Sequence, residues 1–182
     1  MKKIFTASFC TLLLAGIISI NSCSKDPLVI PFTIADKEKC LSTNPFQAYA
    51  KDSFDVLKAD VLAVMSAAGI TDVGRVTKAG LKAGGTFKVV VSGSGFTTLD
   101  DISNIEVYMK KTGTTGDGTQ IAYSDAIVSG ANEVKLVLNG IDMKQFVEQN
   151  TTFTTKILNK TTGNAQGCLT LTGGVIEISV KQ

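Results

Sequence analysis

The sequence contains no histidine and no tryptophan. Without imidazole, Ser-His-Asp and Cys-His catalysis and all histidine-ligated metal sites are excluded. Without indole, the broadest platform for stacking sugars is missing, and Tyr49, Tyr108 and Tyr123 are the tyrosines that remain. No G-K-S or G-K-T occurs. The G-x-G at Gly93 and Gly95 meets Thr98 where a dinucleotide fingerprint wants a third glycine, with no helix expected after it. Those glycines therefore read as hairpin turns and not as a phosphate cradle. Only three prolines are present, and two of them, Pro27 and Pro31, fall in one short stretch.

What is present begins with Met1-Lys2-Lys3 and an uncharged, largely apolar run from Ile4 to Ser24. A basic start followed by an apolar segment has the form of a signal peptide. A membrane span needs about 20 predominantly apolar residues, and this run is diluted by Thr6, Ser8, Thr11, Ser19 and Asn21. It ends Ile20-Asn21-Ser22-Cys23, which resembles the lipobox of bacterial lipoproteins, in particular the looser form of Bacteroidota-type lipoproteins. Ser24-Lys25-Asp26 resembles the start of many outer-membrane starch-utilisation lipoproteins. The resemblance implies cleavage before Cys23, acylation of Cys23, and export to the outer membrane, at the cell surface or on its periplasmic face. Several acyl chains on one residue hold a domain stably, at about 0.8 kcal/mol per buried methylene. The expected division is a signal peptide at 1–22, a lipid tether at 23–31 and one domain at 32–182.

Removing Lys2 and Lys3 leaves 16 basic residues against 16 acidic ones. That balance gives no electrostatic footprint for nucleic acid. Of four cysteines, Cys10 lies in the signal and Cys23 carries lipid, so Cys40 and Cys168 remain. In an oxidising compartment the reading for that pair is a disulfide, with two free thiols as the alternative. Cys168 shares a strand face with Thr170, opposite Leu169 and Leu171, which suits a bond to an outer segment. Two thiolates without histidine do not make a zinc site, and no cofactor or metal is expected.

Along the remaining chain, Leu28–Ile34 reads as extended and Ala35–Phe46 as irregular. A packing helix is expected at about 53–68, capped by Asp52 or Ser53, with Asp55 in the first turn. Its apolar face would carry Phe54, Leu57, Val61, Val64 or Met65, and Ala68, with Gly69 as the stop. From Val73 the period changes to two. Alternation in FKVVV, IEVYM and VKLVL, and at Phe153/Ile157, Leu169/Leu171 and Ile176/Ile178/Val180, reads as strands separated by glycine-rich turns. A short helix is expected where Asp142 and Gln145 form a capping box and Asn150 closes the C-terminus. The threonines between Asn150 and Thr172 read as solvent-facing strand residues. The fold class is mainly β: an antiparallel sandwich, immunoglobulin-like or related, with one packing helix and one short helix.

For chemistry, Asp100-Asp101 lacks the alternate oxygen ligands of a calcium loop and reads as a solvated loop. No carboxylate pair is singled out for glycosidase work. The functional expectation is a non-enzymatic, membrane-anchored binding or adhesion module with a protein or polysaccharide partner. The alternatives are a glycan-binding accessory lipoprotein, a structural subunit of an envelope assembly, and a small carboxylate-based hydrolase.

Overall fold

The computed structural model describes residues 26–41, 49–84, 86–93, 95–160 and 167–182. The expected signal peptide at 1–22 and Cys23 lie outside the described residues. Eleven strands form two antiparallel sheets among those residues. They are β1 (Leu28–Thr33), β2 (Lys37–Leu41), β3 (Tyr49–Val56), β4 (Val76–Leu81), β5 (Lys88–Ser92), β6 (Ile102–Lys111), β7 (Thr119–Ser124), β8 (Glu133–Leu138), β9 (Thr151–Asn159), β10 (Gly167–Thr172) and β11 (Val175–Val180). A three-stranded sheet runs β1-β11-β4 and an eight-stranded sheet runs β2-β10-β5-β8-β7-β6-β9-β3. The sandwich is thus divided eight to three, where the constant-type immunoglobulin sandwich divides four to three. Two helices accompany the sheets: α1 (Lys58–Ala67) and α2 (Gln145–Glu148).

Strand alternation creates the core. Ile176, Ile178 and Val180 of β11 are buried while Glu177 and Ser179 between them are not. Across the pairing, Ile30 faces Ile178 and Phe32 faces Ile176, so β1 and β11 present one apolar surface. In β6, Ile105, Val107 and Met109 supply the matching surface of the large sheet. Aromatic rings link the two layers. Phe32 of β1 meets Phe146 of α2 edge-on at 5.2 Å, Phe146 meets Phe153 of β9 edge-on at 5.9 Å, and Phe153 stacks on Phe54 of β3 at 5.5 Å. Edge-to-face and offset-stacked pairs each add about 0.5–1.5 kcal/mol beyond area burial.

The segment expected as one helix at 53–68 is a strand and a helix in succession. Phe54 belongs to β3, opposite Phe153. Asp52 pairs with Lys39 at 3.6 Å, and the Ser53 hydroxyl meets that of Thr154 at 2.9 Å. Neither caps α1, and Asp55 accepts a hydrogen bond from Thr152 instead of facing a helix dipole. The physical cause is a shared position set. Phe54, Leu57 and Val61 fall at helical spacing, yet Ala50, Asp52, Phe54 and Val56 also alternate on the inner face of β3. Eight ladder pairs with β9 decide for the strand.

Helix α1 starts without a cap from its own sequence; the Asn150 side chain accepts from the Lys58 N–H at 2.9 Å. Asn150, expected to close α2, therefore caps α1 from 92 residues away. Val61 and Met65 form the buried stripe, and Gly69 ends the helix at φ +80°. Leu57, expected on the buried face, is 48% exposed, and Ala68 is exposed. Met65→Ala should cost about 2–5 kcal/mol and Leu57→Ala less than about 0.5 kcal/mol, read from denaturant midpoints. Equal losses would mean that Leu57 is covered in solution.

Other expectations also change. Leu28–Pro31, expected as the end of a tether, belongs to β1. Lys37–Leu41, expected as irregular, is β2, paired with β10. The Asp142–Gln145 capping box does not form. One oxygen of Asp142 takes the N–H groups of Lys144 and of Ala79 in β4, while Gln145 accepts from Gln149. Together with the Met143 N–H donated to the Ala79 carbonyl, this covers part of the open edge of β4. Thr151 and Thr155 lie on the inner face with Phe153, and Thr152 and Thr154 are outward but covered, so all four are buried. Of the glycine clusters, 113–118 turns the β6–β7 hairpin and 130–132 joins β7 to β8. Gly84 and Gly173 instead lie where the chain crosses between sheets, and Gly93 follows β5, whose sheet neighbours do not include β6.

Candidate functional site

Cys40 and Cys168 are disulfide-bonded. They stand directly opposite each other in the β2–β10 register, on the outer face of the large sheet. Cys40 is exposed and Cys168 half-buried. The bond fixes β2, an edge strand, to the rest of the sheet. β2 and β3 are the two ends of the eight-stranded order, and side chains span the gap between them. Lys39 reaches Asp52, and Lys37 lies 5.2 Å from the centroid of the Phe54 ring. Lys37, Lys39 and Asp52 occupy inward-leaning positions of their strands. Inward charges on edges are a known protection against pairing with foreign strands.

The outer face of the other end of the large sheet carries the richest polar arrangement. Cross-strand register builds one row from Val137 (β8), Tyr123 (β7), Glu106 (β6), Lys156 (β9) and Lys51 (β3). A second row holds Gln120, Tyr108, Thr154 and Ser53, and a third Lys110, Thr152 and Asp55. Glu106 is the hub. Its two carboxylate oxygens accept from the Tyr108 hydroxyl at 2.9 Å and the Asn104 amide at 3.3 Å, and Lys156 lies 3.9 Å away. Asn104 is fixed in turn: its carbonyl accepts from Ser124, whose oxygen accepts the Ile105 N–H. Burial first, and then the adjoining Glu106 carboxylate, push the Tyr108 hydroxyl above the usual tyrosine pKa.

The hairpin loop between β6 and β7 joins this face. Lys51 donates to Asp117 at 2.5 Å, and Lys110 donates to the Gly116 carbonyl at 2.7 Å. The Lys51 hydrogen bond holds the Asp117 carboxyl below the ordinary aspartate range. The loop turns tightly at Gly118, where φ is +92° and a Cβ would collide with the Met109 carbonyl. Only glycine fits both requirements.

Asp100 anchors loops. It accepts from the Gly130 N–H at 2.8 Å and from Thr98 at 3.0 Å, and the Gly130 bond leads the lowering of its pKa. No group of three or more Cys, Asp or Glu among the described residues is placed to hold a metal ion. Among the clefts are one of about 60 Å³ and one of about 10 Å³. The larger lies between β4 and β7–β8, and the smaller at the β2–β3 gap. No described helix is long and apolar enough to cross a membrane.

Reasoning from sequence singled out the tyrosines only as what remained without tryptophan, and did not reach Glu106, Asn104 or Lys156. A usable signal exists in IEVYM: Glu106 and Tyr108 are the positions out of phase with the buried Ile105, Val107 and Met109.

No family model matches the chain, and no curated protein matches it. Among solved structures, the chain is similar to that of infectious bursal disease virus Gt strain, with 14% identity and a TM-score of 0.35. That likeness covers 87% of this chain and 33% of the viral one, so the chain spans about a third of that protein. It is also similar to Desmodium yellow mottle tymovirus, with 14% identity over 88% of this chain and 91% of the other, and a TM-score of 0.28. Likeness at this level assigns no function.

Proposed function

We propose that this chain is a lipid-anchored, non-enzymatic lipoprotein of the outer membrane, displayed at the cell surface, whose β domain presents a recognition face. The observation that carries the reading is the pre-assembled outer face centred on Glu106, Tyr108 and Tyr123. Asn104, Glu106, Tyr108 and Lys156 are held by one another before any partner arrives, which reduces the ordering cost of binding. The anchor rests on the Ile20-Asn21-Ser22-Cys23 stretch behind an apolar run. With β1 starting at Leu28, the link from Cys23 would span at most about 18 Å when extended, so the domain would stand close to the bilayer. The non-enzymatic part rests on the sequence: without histidine, Ser-His-Asp and Cys-His catalysis are excluded.

The test is mass spectrometry of the mature N-terminus. The expected result is an acylated Cys23 with residues 1–22 absent, and Cys23→Ala should release a folded domain from the membrane fraction. An unacylated N-terminus, or cleavage at another bond, would remove the anchor from the proposal.

A further inference from the structure

The rows on the outer face define the chemistry of an occupant. Three lysines, Lys51, Lys110 and Lys156, share it with three carboxylates, Asp55, Glu106 and Asp117, and these charges are engaged within the face. Lys51 holds Asp117, Lys156 faces Glu106, Lys110 donates to Gly116, and Asp55 accepts from Thr152. A charged partner would find no net opposite charge to neutralise and would have to break these contacts. A nucleic acid or an acidic polymer gains most of its affinity from such neutralisation. The face offers instead two half-buried aromatic rings beside planar and hydroxyl hydrogen-bonding groups. Tyr108 and Tyr123 take diagonal positions on neighbouring strands, with Glu106 opposite Tyr123 in register. Diagonal neighbours on a sheet lie about 7–8 Å apart. Val137, 38% exposed, extends the Tyr123 side as an apolar strip. The polar groups around the rings are Asn104, Gln120 and Glu106.

We infer that this face binds an uncharged polyhydroxyl polymer, a neutral polysaccharide, with Tyr108 and Tyr123 as the stacking surface and Asn104, Gln120 and Glu106 as hydroxyl partners. The inference rests on the reading of the domain as a binding module. A bound sugar ring lays its apolar face on a tyrosine while its hydroxyls meet the amide and carboxylate groups beside it. Tyrosine suits this role because its large amphipathic surface has few rotors to immobilise. Charges that are already paired act as fixed dipoles and hydrogen-bond acceptors, so binding should be insensitive to salt.

The experiment is affinity electrophoresis of the mature, detergent-solubilised chain in native gels containing a soluble neutral glucan, mannan or xylan, with polygalacturonate as the acidic probe. At least one neutral polymer should retard the protein. Retardation should change by less than about twofold between low salt and about 0.5 M salt, where exposed charges are screened. Tyr123→Ala should weaken binding roughly tenfold, equivalent to about 1.4 kcal/mol. Val137→Asp, at a more exposed position, should weaken it too and serves if Tyr123→Ala does not fold. No retardation by any neutral polymer overturns the inference. So does retardation by polygalacturonate alone, or neutral-polymer binding that both variants leave intact. Crosslinking on intact cells separates the two levels. A protein captured in a Tyr123-dependent way, with no polymer bound, overturns the polysaccharide and leaves the binding module standing. An unacylated Cys23 removes the anchor whatever the gels show.

Discussion

Removing the Cys40–Cys168 disulfide, by reductant or by Cys40→Ser with Cys168→Ser, should lower the melting temperature by on the order of 10 °C. The bond joins residues 128 positions apart. For a loop of about that length the chain-entropy model gives roughly 4–5 kcal/mol, often less in practice. In a domain of about 150–250 residues each kcal/mol moves the melting temperature by about 2–4 °C. The native cost should be small in comparison, because β2 keeps its five ladder pairs with β10 and the Lys39–Asp52 contact. Calorimetry with and without reductant reads the effect. A shift below about 2 °C would mean that the reduced unfolded chain is already compact.

Phe146→Ala should destabilise the domain by about 3–5 kcal/mol, the cost of deleting a fully buried aromatic side chain. Phe146 is completely buried and sits between Phe32 of the small sheet and Phe153 of the large one. Truncation would leave a cavity between layers and remove both edge-on contacts. Phe146→Leu keeps most of the volume and should cost clearly less, since cavity size sets much of the penalty. Urea unfolding of the two variants checks this order. Equal losses would show that the ring contacts, and not the volume, carry the stability.

Strands with strict alternation were legible in the sequence. β5, β6, β8, β10 and β11 all fall where period-two apolar positions stand between glycine-rich turns. Of the others, β1 and β9 were read from Leu28–Ile34 and from Phe153 and Ile157, while β2, β3, β4 and β7 were not. In β4, a register shift opposite Ser179 and Val180 breaks the alternation, leaving Val76 and Ala79 as its buried positions. In β7, the adjacent residues Ile121 and Ala122 are both buried beside the irregularity at Val107 and Tyr108. β2 carries lysines at inward-leaning positions, as an edge strand tolerates and a central one does not. The candidate face was only partly legible. Its tyrosines were visible, but Glu106, Lys156 and Lys51 come from three strands far apart in the chain.

The sequence by itself excluded chemistry relying on imidazole, carried a resemblance to a lipobox at residues 20–23, and showed apolar periodicities that favour sheets. Those properties depend on composition or on neighbours a few residues apart. Tertiary structure alone decided that Tyr49–Val56 is a strand, that Asn150 caps α1, and that four threonines are buried. It also decided which outward residues meet around Glu106. Each of these depends on partners far away in sequence, as with Lys58 and Asn150, 92 residues apart, or Asp55 and Thr152, 97 apart. A β-sheet assigns its faces by pairing, and pairing is a property of two segments that neither segment carries alone.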